Sequence, residues 1–290
     1  MRPLLTASLT PVLAALAASI PARAQPLPVE GVRHGALNVA PPVSPAADVV
    51  APEGAVDPWK GARRPWLYAA DPTAPAPGHA IAALGVSYAQ VDRGAARPFA
   101  ADVAHAGAVF DVAVEVGVAR FASVHAQGLL AGDGADAPVR AGALAGASLF
   151  PLPAGAPVDL AISAGYLREL GGSNGVWGRV GVAGDLGPAR LSLTTLGEHV
   201  LEAGRDGIDI LVTSGASFAL GLARLGIEYV VQDLEGAWEP DEADGGIRHF
   251  VGPTASIEIA RRVQLAASPA IGLSQGSPDV LGRLAATYAF

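Results

Sequence analysis

The sequence contains no cysteine, which excludes disulfide bonds, thiolate metal ligands and a lipid anchor attached through a thiol. It also contains little charge: 16% of the residues are charged, against roughly 25% in typical soluble domains. At the same time, 51% of the residues are hydrophobic. This combination predicts that part of the folded surface contacts something other than water.

Long apolar runs are scarce beyond the N-terminal segment. Asp, Glu, Arg or Gly interrupts every later run before it reaches the ~20 residues that a transmembrane helix needs. A helical membrane protein is therefore excluded. The other structure that can cross a bilayer is a closed β-barrel, because its backbone groups are all paired between strands. We therefore predict an all-β fold, a transmembrane antiparallel up-and-down β-barrel.

Basic surfaces and metal-binding patterns are missing as well. The net charge is −8 and the pI is near 5.2, whereas nucleic-acid binding needs a concentrated basic surface. No nucleic-acid partner is therefore predicted. The six histidines show no HxH or HExxH spacing. We predict no metal site and no cofactor.

The N-terminal segment has the features of an export signal. Arg2 precedes an apolar stretch from Leu4 to Ile20, and Ala22-Arg23-Ala24 forms a small-x-small cleavage site. We predict a signal peptide at residues 1–24. The alternative is a membrane-anchoring helix, which prolines and hydroxyl residues would make short and broken.

Residues 25–77 are rich in proline, alanine and valine, and we predict an extended periplasmic linker there, followed by the barrel at residues 78–290. The linker contains an aromatic and basic cluster, WKGARRPWLY. Two interpretations stay open for this cluster. It docks on the mouth of the barrel, which we favour, or it binds a ligand.

Segments of about ten residues with period-two alternation follow one another to the end of the chain, and a tilted strand needs that length to cross a membrane. In the second segment, for example, Phe110 and Val112 share one face and Asp111 and Glu115 share the other. The predicted strands are 79–91, 107–117, 120–131, 139–150, 157–168, 176–186, 189–200, 207–219, 222–234, 248–260, 263–274 and 280–290. A soluble β-sandwich would alternate in the same way, so periodicity alone does not separate the two folds.

The connections between the predicted strands help to distinguish a barrel from a sandwich. The links near GVAR, LGPA, LGLA and ARRV are short, and those at 92–106, 131–138, 169–175 and 235–247 are longer. We predict that short and long links alternate strictly, with the short turns on the periplasmic side. Aromatic girdles are then predicted at the two rims. The outer girdle contains Tyr88, Phe110, Tyr166, Trp177 and Phe250, and the inner one Phe150 and Phe290.

The last predicted strand, VLGRLAATYAF, places Leu284, Tyr288 and Phe290 on one face. It resembles the C-terminal strand of bacterial outer-membrane β-barrel proteins, which ends in Phe with an aromatic residue two positions earlier. The resemblance implies a porin-like barrel in the bacterial outer membrane, surrounded by lipid, with this strand read by the outer-membrane assembly machinery. It covers about a dozen residues and identifies no specific family.

The alternation predicts a polar inner face. Its predicted members are Asp111, Glu115, His125, Gln127, Asp159, Arg179, Asp185, Arg190, Glu228, Glu258 and Arg283. Small residues are predicted to face inward among them, namely Ala143, Gly181, Gly215 and Ala266. Because carboxylates outnumber guanidinium groups in this set, a lumen lined by it would favour cations.

Three functions are compatible with such a barrel. The first is a narrow porin-like channel or transporter for small solutes. The second is a non-conducting structural or interaction barrel, in which the inner charges pair across a closed lumen. The third is an outer-membrane hydrolase, which we disfavour: Ser123 and His125 share the lumen face without an orienting third group, and Gly272-Leu273-Ser274-Gln275-Gly276 precedes a strand rather than a helix. We predict no catalytic residue.

Overall fold

The computed structural model describes residues 72–73, 75–90, 107–132, 139–153, 156–201, 208–238, 246–274 and 276–290. They form twelve β-strands, and the prediction of an all-β barrel with twelve strands is confirmed. The strands are β1 Ala80–Gln90, β2 Gly107–Ala119, β3 Ala122–Gly132, β4 Arg140–Leu149, β5 Val158–Glu169, β6 Asn174–Leu186, β7 Ala189–Val200, β8 Asp209–Leu220, β9 Ala223–Gln232, β10 Arg248–Ala260, β11 Val263–Gly272 and β12 Val280–Ala289.

Each strand pairs antiparallel with its neighbours in the chain, and the first strand pairs with the last. Ile81 of β1 lies opposite Ala289 of β12, and Gln90 lies opposite Val280. At the end of this seam the Phe290 N–H donates to the Ala80 carbonyl oxygen at 2.8 Å. The sheet therefore closes on itself and has no free edge strand.

Two-residue turns mark one end of the barrel, which we call the turn end. They occupy residues 120–121, 187–188, 221–222 and 261–262. Gly187 and Gly221 have φ of 62° and 64°, a left-handed conformation that glycine adopts without strain. The opposite end, which we call the loop end, carries the connections that follow the odd-numbered strands.

The predicted strict alternation of short and long links is wrong at one place. The link at residues 150–157 lies at the turn end, yet it is longer than the link at 170–173 at the loop end. Pro151, Pro153 and Pro157 occur within the longer link, and proline cannot donate the backbone bonds of a tight hairpin.

Alternate side chains of the strands point out of the barrel, and these are mostly apolar and exposed. On β2, Phe110 and Val112 are 57% and 54% exposed, whereas Asp111 between them is buried. Val180 on β6 and Ile227 on β9 are exposed in the same way. The outer surface is therefore an apolar band. No helix among the described residues is long and apolar enough to cross a membrane.

A short 3-10 helix, Leu234–Ala237, follows β9 at the loop end. The Glu235 side chain is buried there and accepts a hydrogen bond from the Ile210 N–H at 2.8 Å, which attaches the helix to β8. Burial raises the pKa of Glu235 above its ordinary value, although its backbone hydrogen bonds act in the opposite direction. The signal peptide at 1–24 and most of the linker at 25–77, including WKGARRPWLY, lie outside the described residues.

Candidate functional site

The interior of the barrel is the candidate site, and its half nearest the turn end is polar. Buried hydroxyl groups of several strands line it; Ser148 on β4 and Ser163 on β5, for example, lie opposite each other with their Oγ atoms 2.8 Å apart. The Ser217 and Ser268 side chains are fully buried there as well. Thr213 Oγ1 and Ser192 Oγ are buried and have no hydrogen-bond partner in the described part of the chain.

The charged residues predicted for the lumen all occupy inward positions of their strands. They are Asp111, Glu115, His125, Asp159, Arg179, Asp185, Arg190, Glu228, Glu258 and Arg283. Gly181, Gly215 and Ala266 also face inward. Ala143 faces outward, against the prediction, because Gly142 and Leu144 occupy the inward positions of β4 on either side of it. Alanine and glycine occur on both faces of this strand, so its alternation has no contrast from which to assign the face.

Asp111 is paired across the seam between the first and last strands. It is 6% exposed, and its Oδ2 lies 3.0 Å from Nη2 of Arg283. Gln127 donates a further hydrogen bond to Asp111 Oδ1 at 3.3 Å. Gly85 leaves room for the carboxylate, since a Cβ at that position would collide with it. Residues of β12, β3 and β1 thus surround the buried carboxylate of β2. A buried charge needs such partners because burial without them is costly.

Arg190 forms a second charge cluster near the turn end. Its guanidinium lies 2.7 Å from Asp159 Oδ2 and 2.9 Å from Asp185 Oδ2. The side chain of Arg190 is 8% exposed, whereas those of the two aspartates are 39% and 58% exposed. One arginine therefore draws two carboxylates from neighbouring strands to the mouth of the barrel.

Glu115 and the two residues considered for catalysis lie between these clusters. The Ser123 hydroxyl donates its hydrogen bond to Glu115 Oε1 at 2.7 Å. The His125 ring packs against Trp177, with the ring centroids 5.1 Å apart. Because the serine proton is directed to a carboxylate, Ser123 and His125 do not form the hydrogen-bonded pair of nucleophile and base that a hydrolase needs.

The half of the interior nearest the loop end contains a belt of buried apolar side chains, which we did not predict. Two buried clusters include one or more side chains from every strand, and together we call them the apolar collar. Its members are Ala89, Val109, Leu129, Ala131, Leu144, Leu167, Trp177, Leu196, Val200, Leu211, Val230, Phe250, Ala270 and Leu281. Phe250 and Leu281 are 0% exposed and Val230 is 1% exposed, so the collar narrows the interior by direct packing.

Two residues predicted for the outer aromatic girdle belong to this collar. Trp177 and Phe250 are 4% and 0% exposed and face inward, whereas Tyr88, Phe110 and Tyr166 are exposed on the outside. The prediction was wrong because an aromatic side chain near a membrane rim suits either side of the wall there. Phe150, predicted for the inner girdle, is also buried.

Glycines on neighbouring strands indicate where the Trp177 ring lies. A Cβ at Gly146 or Gly165 would collide with the indole ring, and the Arg179 guanidinium lies 5.6 Å from the ring centroid. A run of inward glycines beside an inward tryptophan is the sequence signal that would have located this part of the collar.

A few charged groups lie beside or above the collar. Glu198 is 1% exposed and lies on β7 between the collar residues Leu196 and Val200. At the loop-end rim, Arg140 Nε lies 3.2 Å from Glu169 Oε1. A buried carboxylate therefore lies among the collar side chains, and an ion pair lies at the loop-end rim beyond them.

The loop before β12 contains the G-x-S-x-G match. Ser274 Oγ donates to the Ile247 carbonyl oxygen at 2.9 Å and lies 2.7 Å from Ser277 Oγ. The segment leads into a strand, not a helix, so it is a hydrogen-bonded turn and not a nucleophile elbow. Among the described residues, no cluster of histidine and carboxylate side chains has the geometry of a metal site.

The last strand presents the three residues of the predicted assembly signal to the outside. Leu284, Tyr288 and Phe290 are all exposed, and the rings of Tyr288 and Phe290 meet edge to face with centroids 4.7 Å apart. They form a continuous apolar stripe on the outer surface next to β1 and β11.

No family model and no curated protein sequence matches this chain. Solved structures with a similar fold include an outer membrane channel from Pseudomonas putida F1, with a TM-score of 0.58 and 12% identity over 78% of this chain and 100% of that one. The KdgM porin matches with a TM-score of 0.51 and 8% identity over 72% of this chain and 99% of that one. A second structure, KdgM in complex with disordered oligogalacturonate, has a TM-score of 0.52, also at 8% identity, over 73% of this chain and 99% of that one. At such identities the likeness shows the fold, which is that of bacterial outer-membrane barrels.

Proposed function

We propose that this protein is a narrow, porin-like channel for small solutes in the bacterial outer membrane. The observation that carries the proposal is the reversal of polarity across the wall. Outward side chains such as Phe110, Val180 and Ile227 are apolar and exposed, while inward ones such as Asp111 and Arg190 are charged. A soluble sandwich would bury its apolar face and expose its polar one; a transmembrane barrel does the opposite.

Export and assembly belong to the same proposal. A signal peptide at 1–24 would direct the chain across the inner membrane. The exposed stripe of Leu284, Tyr288 and Phe290 would be recognised by the outer-membrane assembly machinery before the barrel closes. The linker at 25–77 would remain in the periplasm.

The charges of the polar half would give the channel a preference for cations. Among the inward residues, the carboxylates of Asp111, Glu115, Asp159, Asp185, Glu228 and Glu258 outnumber the guanidinium groups of Arg179, Arg190 and Arg283. Glu115 and Glu228 lie within the barrel, where their field is less screened than at the surface. This interior suits small cations or neutral solutes better than a polyanion such as the oligogalacturonate named for KdgM.

The apolar collar favours a second function, a non-conducting structural or interaction barrel. Within each of its two clusters the collar side chains pack against one another, and apolar constrictions block ions by excluding water. In that case the paired charges below the collar would stabilise the barrel and select no solute.

Planar-bilayer recordings of the refolded protein distinguish the two functions. A channel gives steps of cation-selective current, and Glu115→Gln or Glu228→Gln reduces the selectivity, because each removes a charge worth about 1 kcal/mol at 4 Å even in bulk water. Asp279→Asn is the control, since this carboxylate is exposed outside the strands. Bilayers that stay silent after confirmed insertion would support the non-conducting barrel instead.

A further inference from the structure

Two prolines lie directly opposite each other in the wall between β10 and β11. These strands pair Val251 with Ile271 and Ala255 with Ala267, and this register places Pro253 against Pro269. Both prolines face outward near the middle of their strands and are exposed. Proline is rare within sheets because it has no N–H group to donate to the ladder.

The opposed prolines occupy a position where two hydrogen bonds are expected. Opposite residues of an antiparallel pair alternate between those that exchange two N–H···O bonds and those that exchange none. The Leu273 N–H donates to the His249 carbonyl oxygen across this seam at 2.8 Å, so these two opposite residues form a hydrogen-bonded pair. Every second pair along the seam from there is expected to be hydrogen-bonded as well. That class includes Pro253 and Pro269, and both of their mutual bonds are therefore missing.

The missing bonds leave a gap in the ladder between two intact pairs. Between the Val251–Ile271 pair and the Ala255–Ala267 pair, no backbone hydrogen bond joins β10 to β11. This gap extends about 13 Å along the strands. The flanking ladders, from β9 to β10 and from β11 to β12, are continuous over the same residues. The weakness thus lies in this one seam and does not extend to its neighbours.

The inner side of the seam is lined by small side chains. Ser268 Oγ donates to the Pro253 carbonyl oxygen at 3.1 Å and so satisfies one of the two carbonyls that the prolines leave unpaired. Gly252 makes room for the other, since a Cβ there would collide with the Pro269 oxygen. The wall is therefore thin here, with no bulky side chain behind it at these positions.

The seam begins at the level of the apolar collar. Ala270, which the register places opposite Gly252, is a collar residue and lies opposite Leu281 of β12. Phe250, two residues before Gly252, is a collar residue as well. An uncharged apolar molecule is favoured in such surroundings over water, and the outer side of the seam, with Ile271 and the prolines, is also apolar.

We propose that the seam between β10 and β11 is a lateral passage, through which small uncharged apolar molecules move between the collar and the hydrocarbon of the membrane. Strands separate most easily where their backbone bonds are already absent, because in lipid every broken bond leaves unsatisfied polar groups. The inference rests on the proposed placement in the outer membrane and does not require ion conduction.

A disulfide across the seam tests the passage. Thr254 and Ser268 are opposite, inward and of the non-bonding class, whose Cα atoms lie about 4.5 Å apart, within the range that a disulfide spans. The chain has no native cysteine, so Thr254→Cys with Ser268→Cys yields a single defined bond. The matched control is Ser148→Cys with Ser163→Cys, a buried inward pair of the same class in the continuous ladder from β4 to β5.

The readout is the entry of the apolar dye phenylnaphthylamine into Gram-negative host cells that carry the full-length protein in an intact outer membrane. The wild-type protein is expected to speed dye entry over cells without it. The oxidised seam disulfide is expected to abolish that excess entry, a reductant to restore it, and the control disulfide to leave it unchanged. The inference would be overturned if the wild-type protein did not speed dye entry. It would also be overturned if the oxidised seam disulfide did not slow it.

A second pair of variants decides the matter if the disulfide does not form. Pro253→Val with Pro269→Val supplies both missing N–H groups and is expected to abolish the excess dye entry. Ala255→Val with Ala267→Val adds the same side chains to the same strands without adding a donor, and is expected to preserve it. Unchanged entry in the proline variant would contradict the passage.

Ion currents of the same variants separate this inference from the proposed channel. If the barrel conducts no ions but the seam disulfide still abolishes dye entry, the channel fails and the lateral passage stands. If the barrel conducts ions and the seam disulfide does not change dye entry, the channel stands and the passage fails.

Discussion

The two halves of the barrel interior differ in chemistry although the same twelve strands build both. Toward the loop end every strand adds a buried apolar side chain to the collar, such as Phe250 or Leu281. Toward the turn end the same strands add hydroxyl groups and charges, such as Ser163 and Arg190. The barrel geometry sets how many inward positions exist, and the residue at each position decides whether that level acts as a core or as a lumen.

The halves also differ in what stabilises them. In the collar, burial of apolar surface contributes directly, at roughly 25 cal/mol per Å². In the polar half, a buried charge is costly unless it is paired, and Asp111 and Arg190 each have a partner of opposite charge. Removing one side chain should therefore have different consequences in the two halves.

The largest effect on stability is expected from truncation in the collar. Phe250→Ala removes a side chain that is 0% exposed and should lower the free energy of unfolding by ~3–5 kcal/mol, measured by urea unfolding from lipid vesicles. Phe218→Ala is the control, because that ring is 54% exposed on the outer surface. If both variants lost the same free energy of unfolding, the collar would contribute no more to stability than the outer surface does.

The comparison depends on which side of the wall is the inside, and two adjacent residues on β6 test this. Val180 faces outward at mid-strand, next to the inward Arg179. Val180→Arg places a charge in the hydrocarbon and should cost about 2–4 kcal/mol in the same unfolding experiment. Val180→Leu should be nearly neutral. Tolerance of the arginine would show that this face does not contact lipid.

The polar half is tested by a double-mutant cycle on Asp111 and Arg283. Arg283→Met alone leaves a buried carboxylate without its cation and should destabilise the barrel, whereas adding Asp111→Asn should recover much of the loss. The expected coupling energy is ~0.5–3 kcal/mol. Additive effects of the two substitutions would mean that the 3.0 Å contact contributes nothing specific.

The smallest effect concerns pH at the loop end. Burial raises the pKa of Glu235 in the fold, so the folded state binds more protons than the unfolded state, and stability should fall as pH rises from the ordinary pKa of 4.5 toward the raised value. Thermal unfolding of Glu235→Gln should lose this component of the pH dependence. A wild-type profile identical to that of the variant would show that Glu235 does not titrate in this window.

The sequence predicted the strands well and the interior only in part. Period-two alternation located all twelve strands, with most ends within two residues, because contrast between faces is strong in segments such as β2 and β5. It failed on β4, where alanine and glycine occupy both faces, and Ala143 was assigned to the wrong side. Alternation assigns a residue to the inner or the outer face only where one face of the strand is apolar and the other is polar.

The collar could not be predicted from alternation because its inward residues are as apolar as their outward neighbours. Leu129 and Leu130 on β3 are adjacent, and one is buried while the other is 51% exposed. Likewise, the ion pair between Asp111 and Arg283 joins residues far apart in the chain and depends on closure between β1 and β12. Such contacts follow from the pairing of the first strand with the last, which the alternation within single strands does not specify.

Single-channel conductance of a variant with a widened collar tests the central claim most directly. Phe250→Ala with Leu281→Ala removes two fully buried collar side chains, and Phe110→Ala with Leu284→Ala removes two exposed outer ones as a control. If the collar is the constriction of a cation-selective lumen, the wild-type protein gives small cation-selective steps, the collar variant larger ones, and the control the wild-type size. Inserted barrels that carry no current even with the widened collar would contradict the account.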